Sequence, residues 1–306
     1  MENIFRIFPS PIKNALNKEI KNKIDQLQEI RIRQNKTIEI IFDRSFQRIP
    51  IVITKEDISF ILNQISDYSL YRLKDELRKG FITIEGGHRI GLAGQVVTEE
   101  GSIKTMKHVS FLNIRLAKEK LNVARPLIPY LYNHSYVNTL IIGPPQSGKT
   151  TLLRDIARII STGHGDIPSK KVSIIDERSE IAACKDGVPK HQIGSRTDVM
   201  DACPKVEGMM MVIRSMSPEV IIVDELGNEK DIAALLEAIN AGVTVICSIH
   251  GDSLEQLKQR PSLKSIFKEQ IFERFVLLRN KQTPGYIHKI YDKNHRNLIL
   301  NKRDTK

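Results

Sequence analysis

Apolar and polar residues alternate through EIRIRQNKTIEIIF (29–42), on both sides of Gln34-Asn35-Lys36. That two-residue period predicts a pair of strands joined as a hairpin. From Lys55 the period lengthens. Ile58, Ile61, Leu62 and Ile65, then Leu70, Leu73 and Leu77, fit the buried stripes of two helices, with Gly80 as the stop. Alternation returns in FITIEGGHRIGLAGQVVTEEGSIKTMKHVSFLNIRLA (81–117), punctuated by Gly86-Gly87 and Glu100-Gly101. Short alternating strands separated by such turns predict an antiparallel sheet.

Beyond Lys120 the texture changes. NVARPLIPYLYNHS (122–135) carries two prolines and introduces a different pattern, in which apolar runs of strand length alternate with helical segments. VNTLIIG (137–143) precedes TTLLRDIARIIS (150–161), and KVSIID (171–176) stands alone. PEVIIVDEL (218–226) then precedes EKDIAALLEAINAG (229–242), and VTVICSIHG (243–251) precedes DSLEQLKQR (252–260). Unbroken runs such as Val220–Val223 indicate strands covered on both faces, hence a parallel sheet between helix layers. The expected organisation is an α+β N-terminal domain over 1–122, a linker over 123–135 and an α/β domain over 136–306.

Composition adds limits. Apolar residues make up 41% of the 306 and charged residues 27%, ordinary for a globular protein. Cys184, Cys203 and Cys247 are three and far apart, which argues against a disulfide framework and for a reducing compartment. No stretch reaches 18 uncharged apolar residues, and the N-terminus lacks a signal-peptide core, so the expectation is a cytoplasmic or peripherally attached chain. A net charge of +11 calls for an acidic partner or surface, but no Arg-rich run or basic-aromatic interleaving concentrates it.

Chemistry enters at LIIGPPQSGKTTLLRDIARII (140–160). Gly143, Pro144, Pro145, Gln146, Ser147, Gly148, Lys149, Thr150 and Thr151 match a phosphate loop in full, between a predicted strand and a predicted helix. Glycines let successive backbone N–H groups turn inward at the positive end of the helix. In such a loop Lys149 supplies a point charge to the β- and γ-phosphates, and Thr150 a hydroxyl to Mg²⁺. The second requirement is an acidic residue at the end of a buried strand. VIIVDE (220–225) provides Asp224 for the metal's ligand shell and Glu225 to polarise an attacking water. ATP and Mg²⁺ are therefore the expected ligands.

These segments resemble a known group. IIDERSE (174–180), IRSMSPEVIIVDE (213–225) and NAGVTVICSIHG (240–251) follow the phosphate loop in the order of the acidic box, metal-binding strand and histidine box of the secretion and pilus ATPases. More closely, DERSEIAAC (176–184) and RTDVMDACPKVEGMMMVIRSMSPEVIIVDE (196–225) look like the stage III sporulation AA family. The resemblance implies a RecA-like P-loop NTPase core. It implies that Asp176, Glu177 and Glu180 form the cluster that orders the attacking water, that His250 meets the γ-phosphate, and that Arg214 with Pro218 or Glu219 leads into the metal strand. Many secretion ATPases carry Gly-Glu where this chain has Asp224-Glu225, which leaves the water-activating carboxylate between Glu225 and Glu177 or Glu180. Arginines from a neighbouring subunit complete such sites; the candidates are Arg89, Arg115 and Arg196.

The function so implied is an ATP-hydrolysing ring motor, a homo-oligomer of hexameric type. It would couple MgATP hydrolysis to an integral membrane partner of a sporulation channel complex, from the cytoplasmic face of the membrane in the mother cell. The alternative is a nucleic-acid-stimulated ATPase of helicase type, which the +11 charge favours and the absence of tryptophan with only 6% aromatics disfavours. A nucleotide-gated scaffold has no need of a water-ordering Asp-Glu pair. The lack of a Ser-Gly-Gly signature before VIIVDE excludes a transporter-type ABC ATPase.

Overall fold

The computed structural model describes residues 2–43, 45–66, 77–78, 80–84, 86–99, 101–116, 119–184, 186–279 and 285–299. The chain divides into two compact units, Met1–Lys118 and Glu119–Lys306.

The first unit is a six-stranded antiparallel sheet with helices on one face. Its strands are β1 (Leu27–Arg33), β2 (Thr37–Phe42), β3 (Phe46–Val52), β4 (Phe81–Ile84), β5 (His88–Glu99) and β6 (Ser102–Arg115). They lie in the order β3-β2-β1-β6-β5-β4. The β1–β2 hairpin forms where alternation predicts it, with Asn35 at φ +60° in the turn. Ile30 and Ile32 of β1, and Ile38 and Ile40 of β2, point to the covered face. There they meet α1 (Glu2–Phe5), α2 (Ser10–Ile20) and α3 (Lys55–Ile65), through Ile4, Leu16, Ile58 and Ile61 among others. α3 begins in a capping box: Thr54 Oγ1 accepts the Asp57 N–H at 3.1 Å, and Asp57 accepts the Thr54 N–H at 2.9 Å. The second helix expected before Gly80 falls mostly on 67–76, outside the described residues.

The second unit is an α/β sandwich. Its seven-stranded sheet has the order β11-β10-β12-β13-β9-β14-β15. These are β9 (Thr139–Gly143), β10 (Val172–Asp176), β11 (Thr197–Asp201), β12 (Val220–Val223), β13 (Thr244–His250), β14 (Arg274–Leu278) and β15 (Ile287–Asp292). All neighbours are parallel except the β14–β15 pair at the edge. A small ribbon, β7 (Tyr132–Asn133) with β8 (Ser135–Tyr136), and a single helical turn, α4 (Ile128–Leu131), precede the sheet.

The central strands divide their side chains between two cores, as a two-residue period requires. Ile141, Ile174, Ile222 and Ile246 feed one core with α5 (Lys149–Thr162). Ile142, Ile175, Ile221 and Val245 feed the other with α6 (Lys205–Ser215) and α7 (Glu229–Asn240). Two shorter helices, α8 (Leu254–Lys258) and α9 (Lys264–Lys268), close the second core through Leu257 and Ile266. The expected face of α5, Leu152, Leu153, Ile156, Ile159 and Ile160, is buried throughout. Of the Met209–Met211 run, Met209 is core and Met211 is exposed.

The 123–135 segment corrects the sequence expectation of a linker. Ala124, Leu127, Ile128 and Leu131 are fully buried in the α5-side core, and Asp155 of α5 accepts the Ala124 N–H at 2.8 Å. Prolines fall in the turns of this stretch, but apolar residues spaced three and four apart dock it into the core. Among the described residues no helix is long and apolar enough to cross a membrane.

Candidate nucleotide site

The site forms at the carboxyl ends of the parallel strands, where open α/β sheets bind ligands. Strand register explains its composition. β13 lies between β9 and β12, so it shares one register with the phosphate loop and another with the acidic strand. Gly143 pairs with His250, and Val223 pairs with Cys247. One residue further along, Asp224 comes level with Ser248. Residues more than 70 positions apart in sequence thus meet at one edge.

The loop turns tightly on β9. A Cβ at Gly143 would stand 2.5 Å from Ser147 Oγ and 3.1 Å from Leu278 Cβ, so only glycine lets the loop fold back there. Gln146 and Gly148 take left-handed conformations at φ +62° and +91°. Gly148 then caps α5 and aims its first turn into the cavity.

Lys149 commits all three ammonium protons. Its Nζ donates to the carbonyls of Gly143 at 2.8 Å and Pro144 at 3.0 Å, and lies 2.9 Å from His250 Nδ1. An ammonium only donates, so His250 Nδ1 is the acceptor and the ring proton sits on Nε2. That nitrogen lies 3.1 Å from Glu225 Oε1. Burial lowers the Lys149 pKa, and the charges of Asp224 and Glu225 oppose the shift.

Asp224 and Glu225 are held in separate roles. Thr150 Oγ1 donates to Asp224 Oδ2 at 3.1 Å, while Ser248 Oγ and the Glu225 N–H reach Asp224 Oδ1 at 2.8 and 2.9 Å. Glu225 sits at φ +24°, strained for a residue with a Cβ, and its N–H also lies 3.2 Å from Ser248 Oγ. Its carboxylate is gripped by His250 on one oxygen and by Arg178 Nη1, at 3.3 Å, on the other.

A hydroxyl and a carboxylate oxygen side by side are hard donors suited to Mg²⁺. Among the described residues no group of three or more His, Cys, Asp or Glu side chains forms a metal cage. Mg²⁺ binds through one or two protein oxygens and completes its shell with phosphate and water. Thr150 and Asp224 would hold it, and the ion would supply charge neutralisation at the phosphates.

The acidic segment after β10 splits. Asp176 is buried and accepts the N–H groups of Glu180, Ile181 and Ala182 at 2.9, 3.0 and 2.8 Å. Burial raises its pKa to about 6 in spite of those three bonds. Arg154, buried in α5, clamps the same loop from below by donating to the carbonyls of Ile181 at 2.5 Å and Glu180 at 2.6 Å. Asp176 is therefore the loop's anchor. Glu180 lines a cavity of about 410 Å³ together with Lys149, Thr150, Asp224, Glu225 and His250. Glu177 does not line it, and pairs instead with Lys205 of α6.

The structure thus brings together the phosphate loop, Asp224, Glu225, Glu180 and His250. None of the three candidate arginines is among the residues lining this cavity. Arg196 stands at the amino end of β11, at the opposite end of the sheet from the loop, donating to the carbonyl and hydroxyl of Ser169. Arg89 stacks 3.7 Å above the Phe81 ring, and Arg115 pairs with Glu29 at 3.3 Å, both within the first unit. Sequence reasoning passed over Arg178, Ser248 and Arg154. The signals available were a lone cation inside an acidic box, a hydroxyl two positions before His250 in an apolar strand, and a charge on the buried face of α5.

This sheet order and loop define a RecA-like P-loop fold of the kind seen in secretion and pilus ATPases. Consistent with it, the structure matches the Legionella pneumophila ATPase DotB over 88% of this chain and 77% of that one, at 16% identity and TM-score 0.61. It matches the pilus retraction motor PilT with bound ADP over 86% and 77%, at 13% identity and TM-score 0.59. Over residues 1–298 the chain fits the family described as sporulation stage III, protein AA, and it belongs to that family. It is 51% identical over 293 residues to stage III sporulation protein AA of Bacillus subtilis strain 168, covering 96% of this chain and 95% of that protein.

Proposed function

We propose that the protein is a Mg²⁺-dependent ATPase that works as a secretion-type motor in sporulation. The observation that carries this reading is the contact of Thr150 with Asp224 at the mouth of the phosphate loop, with Glu225 held beside it by His250. Lys149 and the first turn of α5 bind and orient the phosphate chain. Asp224, fixed by Ser248, keeps its second oxygen toward Thr150 and the metal position. Glu225 is the carboxylate placed to accept a proton from an attacking water, and His250 Nε2–H orients it. Glu180 is a second carboxylate on the cavity wall; Glu177, paired with Lys205, is the weaker candidate.

In this reading the protein acts as a homo-oligomeric ring, a hexamer, with Arg89, Arg115 or Arg196 reaching a neighbour's site. It would work at the cytoplasmic face of a membrane, on the mother-cell side, against an integral membrane partner of a sporulation channel complex. The family membership and the fold of DotB and PilT support this reading.

Turnover of ATP measured against protein concentration, with and without single-stranded DNA, tests it. Turnover that rises faster than linearly, is lost in Lys149→Ala and ignores DNA is the expected result. Turnover linear in protein and multiplied by DNA would replace the ring motor with a nucleic-acid-stimulated ATPase.

A further inference from the structure

We infer that Arg178 is this chain's own γ-phosphate sensor, held by Glu225 until a triphosphate claims it, so that the same exchange frees Glu225. The inference rests on the ATPase reading above and adds a residue to it.

The backbone around Arg178 is held by hydrogen bonds on both sides, while its side chain is largely exposed. On one side Asp176 pins the N–H groups of residues 180–182. On the other Ser179, at φ +52°, donates its hydroxyl to Asp201 at 2.6 Å. The Arg178 side chain itself is 58% exposed and lines the cavity that holds Lys149 and Thr150. An exposed cation on a hydrogen-bonded loop can exchange partners without rearranging the fold.

Its present partner is easily displaced. The Arg178–Glu225 pair spans 3.3 Å and is open to solvent on the arginine side, the kind of ion pair that contributes little on its own. A terminal phosphate offers a guanidinium two oxygens and more charge than one carboxylate. Arg178 is also the cation positioned to matter at that end. Lys149 serves the β- and γ-phosphates together and is needed for either nucleotide. Arg178 reaches the wall made by Glu225 and His250, and we place the terminal phosphate of a triphosphate there.

Release of Arg178 also changes Glu225. In this arrangement the Glu225 carboxylate is held by His250 through Oε1 and by Arg178 through Oε2. Moving the guanidinium onto the phosphate leaves one oxygen available and places positive charge where negative charge develops in transfer. A triphosphate would thereby arm the site it occupies.

Affinities of ATPγS and ADP, measured on the full chain by displacement of a fluorescent nucleotide, test the inference. In Arg178→Ala, ATPγS affinity is expected to fall about tenfold or more while ADP affinity holds, as expected for one lost charge-assisted contact. Arg178→Lys, which keeps the charge but not the fork, should recover part of the difference. Equal losses for both nucleotides, or no loss for ATPγS, would overturn the sensor. Wild-type protein that binds neither nucleotide would overturn the ATPase reading as well.

Discussion

His250 Nδ1 accepts from Lys149 Nζ at 2.9 Å, and the Nε2 of the same ring faces Glu225 at 3.1 Å. One imidazole therefore links the lysine of the phosphate loop to the carboxylate proposed to activate water. This follows from the pairing of His250 with Gly143 across β13 and β9. Replacing His250 with alanine removes the link and leaves the loop. We expect kcat to fall by about tenfold or more with ADP affinity preserved, the pattern of an interaction that matters chiefly in the transition state. Comparable losses in ADP binding would mean that His250 shapes the phosphate loop itself.

Lys149→Ala and Asp224→Asn should separate phosphate from metal. The first deletes the point charge, and ATP affinity should drop by about a hundredfold or be lost, since charge-assisted contacts are among the strongest. The second keeps the shape of Asp224 but removes its charge. Turnover should then need far more Mg²⁺ for half-maximal rate, which a Mg²⁺ titration at saturating ATP reads directly.

Gly143→Ala would set a methyl 2.5 Å from Ser147 Oγ. The loop should lose nucleotide binding while the thermal transition of the unit survives. Adding Ser147→Ala removes that hydroxyl, so the double variant should bind nucleotide better than Gly143→Ala alone. Equal binding by single and double variants would show that another contact, such as Leu278 Cβ at 3.1 Å, sets the limit.

Asp176 ties stability to pH. Burial raises its folded pKa to about 6, above the ordinary aspartate value of 3.8. The native state thus holds a proton that the unfolded state has given up between these values. The contribution to stability is full below about pH 4 and is lost as pH rises through about 6. The difference is on the order of 3 kcal/mol. Asp176→Asn cannot ionise, so its stability relative to wild type should improve from pH 4.5 to pH 7.5 in denaturant titrations. A constant difference would rule out titration of Asp176 in this window.

Ile141 of β9 is fully buried in the α5-side core. Ile141→Ala should cost about 2–5 kcal/mol and lower the midpoint of unfolding, with no route for the site's polar groups to compensate.

Much of this protein was legible before folding. The β1–β2 hairpin, the phosphate loop on β9 and α5, and the buried Val220–Val223 strand each depend on local periodicity or on a motif whose residues are neighbours in sequence. The Asp224-Glu225 pair and His250 could be read from their places after apolar runs. Other features depend on which strands lie side by side, and periodicity is silent about that. The order β12-β13-β9 sets Ser248 against Asp224 and His250 against Lys149. The turn held by Asp176 and Arg154 sends Glu180 and Arg178 into the cavity and leaves Glu177 to Lys205. Packing likewise makes residues 123–131 a wall of the core, although their prolines read as a linker. Alternation decides which face of a strand is buried; only hydrogen-bonded register between distant strands decides which side chains share a site.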